Sequence, residues 1–148
     1  MKTILLILNI FTIMTVFICN PVQAQQNSDW KPVGLAVTGK NVQQGVEAYY
    51  QISKCGNEDV IFVRFINNNS KPVKVEWNDG IFNSDQVWLS NSKINTRKTL
   101  NIEAFKAIEG SCNSNVCPEL VLRIKDFTDN AENVRIYRAL SFHVQFLN

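Results

Sequence analysis

From Trp30 onward the side chains alternate between apolar and polar with a period of two, and that period admits strands as the building elements and excludes amphipathic helices. Val46, Ala48, Tyr50 and Ile52 alternate with Glu47, Tyr49, Gln51 and Ser53. Residues 59–66 (DVIFVRFI) are apolar on both parities, as expected of a central strand covered on each side. The asparagine cluster at 67–71 (NNNSK) is a turn signal, because asparagine tolerates positive φ and bonds its own backbone. Val73, Val75 and Trp77 then alternate with Lys74 and Glu76, so the segments on either side of the cluster read as a hairpin. Asn78, Asp79 and Gly80 form the next turn signal.

Shorter strands are predicted at 86–90 (QVWLS), 100–104 and 120–125, with a polar turn at 126–133. In the last segment Val134, Ile136, Leu140, Phe142, Val144 and Phe146 share one parity, interrupted by Arg138. One straight strand of that length would run past about 40 Å. A bend or bulge near Arg138 and Ala139, or a strand shared between two partners, is therefore expected. Short strands at this spacing predict an all-β chain: one immunoglobulin-like or fibronectin-III-like β-sandwich of about seven antiparallel strands over 32–148. A polar arm at 25–31 precedes it. The stretch FINNNSKPVKVEW at 65–77 looks like the strand–turn–strand signature of bacterial sandwich modules, and its Trp77 resembles the core tryptophan of immunoglobulin domains. That resemblance implies architecture and no activity.

Residues 1–24 read as a cleaved signal peptide. Lys2 gives a positive start, 4–18 (ILLILNIFTIMTVFI) is almost wholly apolar, and Asn20-Pro21 breaks the run. Val22 and Ala24 place small side chains where a signal peptidase reads them, so cleavage is expected between Ala24 and Gln25. An apolar run of about 15 residues is short of the roughly 20 that a transmembrane helix needs. No transmembrane anchor is therefore expected, and the protein is read as secreted or periplasmic. Ile18 before Cys19 is too large for a lipoprotein signal.

Of the four cysteines, cleavage removes Cys19 and leaves Cys55, Cys112 and Cys117 in an oxidising compartment. Cys112 and Cys117 bracket only Asn-Ser-Asn-Val and are expected to close that loop, worth roughly 2 kcal/mol in the chain-entropy model. Cys55 pairing with either of them, or with another chain, stays open.

The composition offers little to catalysis. The net charge of +2, or +1 once Lys2 leaves, gives no basic field for nucleic acid. His143 is the sole imidazole, and it shares parity with Ser141 and Gln145, which reads as a solvent-facing strand histidine. No G-x-S-x-G turn accompanies it, so a Ser–His–acid site is not supported. Zinc would want C-x₂-C or paired histidines, and calcium a D-x-[DN]-x-[DN]-G order that Asp126, Asp129, Asn130 and Glu132 lack. No enzyme activity, cofactor or metal is expected.

Aromatic residues carry the better functional signal. Trp77 shares its face with Val73 and Val75 and is read as core. Trp88, Tyr49 and Tyr137 lie on the polar parity of their strands and could form a platform for a partner's side chains or for sugar rings. The leading expectation is a non-catalytic module that binds another extracellular or periplasmic protein. The alternatives are a carbohydrate-binding module using Trp88 and Tyr49, or an inhibitor that inserts the Cys112–Cys117 loop into a secreted enzyme.

Overall fold

The computed structural model describes residues 29–35, 39–89, 96–113, 117–129 and 131–148. The cleavage site at Ala24 and Gln25, and the leader itself, lie outside the described residues. The described residues form ten strands: β1 (Lys31–Pro32), β2 (Gly34–Leu35), β3 (Val42–Gln43), β4 (Val46–Cys55), β5 (Glu58–Asn67), β6 (Val73–Phe82), β7 (Lys98–Ile102), β8 (Ala107–Glu109), β9 (Val121–Arg123) and β10 (Ile136–Phe146). They make two facing sheets, a β-sandwich as the two-residue period requires. The first sheet runs β1-β4-β5-β8, with β3 on β4 and β9 on β5; the second runs β2-β10-β6-β7. The pairings are antiparallel except for β2 on β10, which is parallel.

The core lies between the sheets. Val46, Ala48 and Tyr50 of β4 and Ile61, Val63 and Phe65 of β5 face Val73, Val75, Trp77 and Ile81 of β6. Trp77 is fully buried and meets Phe65 edge-on at 4.9 Å. Val60 and Phe62, on the outward parity of β5, are buried as well, as a strand apolar on both faces should be.

Four local expectations are corrected. β5 and β6 do not form a hairpin; the chain passes from one sheet to the other at 68–72. Asn67 fixes that arch from within: its Nδ2 donates to the carbonyls of Lys71, Ile102 and Glu103, and its Oδ1 accepts from the Asn69 backbone. An asparagine turn signal reports the reversal but not which sheet receives the chain. The hairpin instead joins β4 to β5 through Gly56 and Asn57, with Gly56 at φ +63°. Asn78-Asp79-Gly80 is no turn but the middle of β6. Asp79 points into the core onto partners described below, and bare Gly80 lets Leu140 lie across the strand, where a Cβ would come within 2.8 Å of its Cδ1. Of the predicted strand at 86–90, the described part, 86–89, is reduced to a single bridge between Phe82 and Trp88, and Ser90 lies outside the described residues. Lys31, assigned to the polar arm, already belongs to β1.

β10 carries the expected irregularity slightly further along. Its register against β6 shifts between Leu140 and His143, where Ser141 takes φ +50°. It also serves two partners, pairing with β2 at Arg138 and Ala139. The bulge exchanges the faces: Tyr137 and Ala139 point into the core before it, Phe142 and Val144 after it.

Candidate functional site

The loop after β6 is built to present Val87 and Trp88. Asn83 Oδ1 accepts from the backbone N–H groups of Asp85 at 2.9 Å and Val87 at 2.8 Å, which folds the chain back on itself. Gln86 takes the left-handed conformation (φ +61°) that completes the reversal, and Leu89 N–H bonds to the Ile81 carbonyl. Trp88 then stands edge-on against the ring of Phe82, centroids 5.1 Å apart. Phe82 has the outward parity of β6, because Ile81 enters the core. Arg138 crosses from β10, with its guanidinium 5.1 Å from the Phe82 ring centroid and its Nη2 donating to Gln86 Oε1 at 2.9 Å. The outcome is a fixed aromatic–arginine cluster on the outer face of the second sheet. Val87 remains 56% exposed and Trp88 47%.

Tyr137, expected on a polar face beside Trp88, is fully buried on the opposite side of that sheet. Its parity was inverted by the bulge at Ser141. Its hydroxyl donates to Asp79 Oδ1 at 2.8 Å, the Trp77 indole N–H donates to the same oxygen at 2.9 Å, and Lys98 pairs with Oδ2 at 2.7 Å. Lys98 also donates to the Glu119 carbonyl. Burial, and then the Asp79 carboxylate, push the Tyr137 phenol well above the ordinary tyrosine range. Asp79 and Lys98 of this network line a cleft of about 410 Å³ at the β7–β9 side of the sandwich, with Thr96, Arg123, Asp126 and Phe127. Both Asp79 oxygens are occupied by protein donors, so the carboxylate is placed to tie β6, β7 and β10 together rather than to take a proton from a substrate.

Tyr49 lies on the first sheet. Its neighbours Ala48 and Tyr50 enter the core, so its ring faces outward and its hydroxyl donates to Glu47 Oε2 at 2.5 Å. That hydrogen bond, helped by partial burial, raises the phenol above its ordinary value. Tyr49, Trp88 and Tyr137 therefore occupy two outer faces and the interior, and do not make one platform. His143 is exposed on β10 opposite Glu76. Among the described residues, no three His, Cys, Asp or Glu side chains converge as a metal would require. No helix among them is long and apolar enough to cross a membrane.

The predicted Cys112–Cys117 ring is replaced. Cys112 is bonded to Cys55 across a sequence separation of 57, with Cα atoms 5.4 Å apart. The reason is positional. Cys55 ends β4 at the tip of the β4–β5 hairpin, and the chain leaving β8 passes that tip; Cys117, itself disulfide-bonded, is buried in the core.

Sequence reasoning missed Phe82, Arg138, Trp30 and Arg64. For Phe82 the misleading signal was the false turn at 78–80, which ended its strand too early. For Arg64 the signal was present as a charge set inside the apolar run from Val60 to Ile66.

No family model matches the chain, and no curated protein matches it. One solved structure of related shape is a DUF1425 family member from Shewanella sp. pv-4, with 9% sequence identity and a TM-score of 0.45 over 72% of this chain and 87% of that one.

Proposed function

We propose that this chain is an exported, non-catalytic β-sandwich module that binds an extracellular or periplasmic protein through the outer face of its second sheet. The observation that carries the reading is the Phe82–Trp88–Arg138 cluster with Val87 exposed beside it. Tryptophan and arginine are the residue types that dominate binding energy at protein interfaces. Here both are held by Phe82, Gln86 and the Asn83 loop before any partner arrives, so little ordering entropy is lost on association. The leader sequence supports export, and hence a partner outside the cytoplasm.

The separation of the aromatics favours a protein over a glycan at this face, since a sugar platform would gather Trp88 with Tyr49 or Tyr137. The inhibitor reading loses its premise with the Cys112–Cys117 ring. A photo-crosslinking amino acid at Val87 tests the proposal. A discrete protein adduct formed in cells of the source organism, and suppressed by Trp88→Ala, is the expected result. Equal crosslinking with and without Trp88→Ala would reject it.

A further inference from the structure

Arg64 is buried to a degree unusual for an arginine, with a side-chain exposure of 9%, yet it lies outside the core. Val63 and Phe65 on either side of it enter the sandwich, so Arg64 faces the outer side of the first sheet. The strand register sets it in a row. Pro32 pairs with Tyr49, Tyr49 with Arg64, and Arg64 with Glu109, across β1, β4, β5 and β8. The ring of Trp30 lies with its centroid 5.6 Å from the guanidinium carbon.

This guanidinium is under-satisfied. Its Nε is buried and makes no hydrogen bond, and its nearest carboxylate oxygen, Glu109 Oε2, is 3.5 Å away. The buried Asp79, by contrast, has a donor on each oxygen. A buried charge left short of hydrogen bonds destabilises the fold. Its neighbours are groups that engage ligands. Trp30 and Tyr49 are half-buried rings, Glu47 is oriented by Tyr49 and by Asn68 Nδ2 at 2.9 Å, and the Glu109 side chain is partly buried, with a quarter of its surface open. A hollow of about 330 Å³ lined by Asp29, Lys31, Gln51 and Ile52 continues the face along β4.

We infer that this outer face of the first sheet is a saccharide-binding site, with Arg64 as its central donor and Trp30 and Tyr49 as its apolar walls. The charge pattern decides the ligand class. Glu109 pairs with Arg64, and Glu47 stands on the same outer face, so an anionic ligand would meet carboxylates beside the guanidinium. A neutral sugar suits both, because a hydroxyl accepts from the guanidinium while donating to the adjacent carboxylate. The site is separate from the Trp88 face and lies on the opposite sheet.

The purified protein on an array of neutral oligosaccharides (β-glucan, xylan, mannan, chitin and starch fragments) with acidic polysaccharides alongside gives the test. Retention on at least one neutral family is expected, weakened at least tenfold by Arg64→Met and by Trp30→Ala and unchanged by Trp88→Ala. A thermal melt of Arg64→Met no lower than that of the parent shows that the lost retention is not lost folding. Should Arg64→Met fail to fold, Trp30→Ala and Tyr49→Ala carry the same expectation. Absence of retention on every neutral glycan, retention confined to acidic polysaccharides, or retention untouched by Trp30→Ala would each overturn the inference.

Discussion

The Tyr137 hydroxyl donates to the Asp79 carboxylate across 2.8 Å, joining β10 to β6 inside the sandwich at the point where the sequence pattern had indicated a turn. Asp79 also holds Trp77 and Lys98. Asp79→Ala strands an ammonium, a phenol and an indole N–H, and is expected to destabilise the fold by about 3–5 kcal/mol. Urea unfolding measures it; a loss under about 1 kcal/mol would show that Lys98 and Tyr137 find water instead.

The tyrosines give a pH signature. Tyr49, Tyr50 and Tyr137 are the three in the chain, and each is raised above 10.0: Tyr49 first by its bond to Glu47, Tyr50 by burial, and Tyr137 by burial and then by Asp79. A folded-state value above the unfolded one stabilises fully below pH 10.0, and that contribution is lost as pH rises past it. Absorbance titration near 295 nm should therefore show little phenolate at the pH where the urea-unfolded chain is half ionised, with Tyr137 ionising only on unfolding. Coincident titration curves for the two states would contradict this.

The Cys55–Cys112 bond closes a loop with a separation of 57, for which the chain-entropy model gives about 4 kcal/mol, roughly twice the value for the short ring read from sequence. Cys55→Ser and Cys112→Ser should destabilise about equally. Mass spectrometry of a non-reduced digest should recover the peptide that joins the two positions.

Trp77 and Trp88 should part company in a melt. Trp77 is fully buried against Phe65, and Trp77→Ala is expected to remove about 3–5 kcal/mol. Trp88 covers Phe82 from one side only and is half exposed, so Trp88→Ala should remove about 1 kcal/mol or less. Comparable losses would make Trp88 a packing residue and withdraw it from the proposed interface.

Much of the fold is legible in the sequence, and the misses share a cause. Alternation identified β4, the first half of β6 and the core role of Trp77, because burial of one face imposes a period of two, and β5 was legible as a run apolar on both faces. It failed at Asp79, where a polar inward residue looks like a turn until its donors from β7 and β10 are seen. It failed again at Tyr137, because one bulged residue at Ser141 reverses the parity of everything before it. The Cys55–Cys112 pairing depends on where a hairpin tip lies in space, which spacing along the chain does not encode. Gly56-Asn57 between two alternating runs was a readable hairpin signal.

Crosslinking from position 87, with and without Trp88→Ala, tests the proposed protein interface on the Trp88 face. One defined protein adduct from the parent, lost in Trp88→Ala while the melting temperature is kept, is the predicted result. No adduct from position 87, or an adduct indifferent to Trp88, would contradict it.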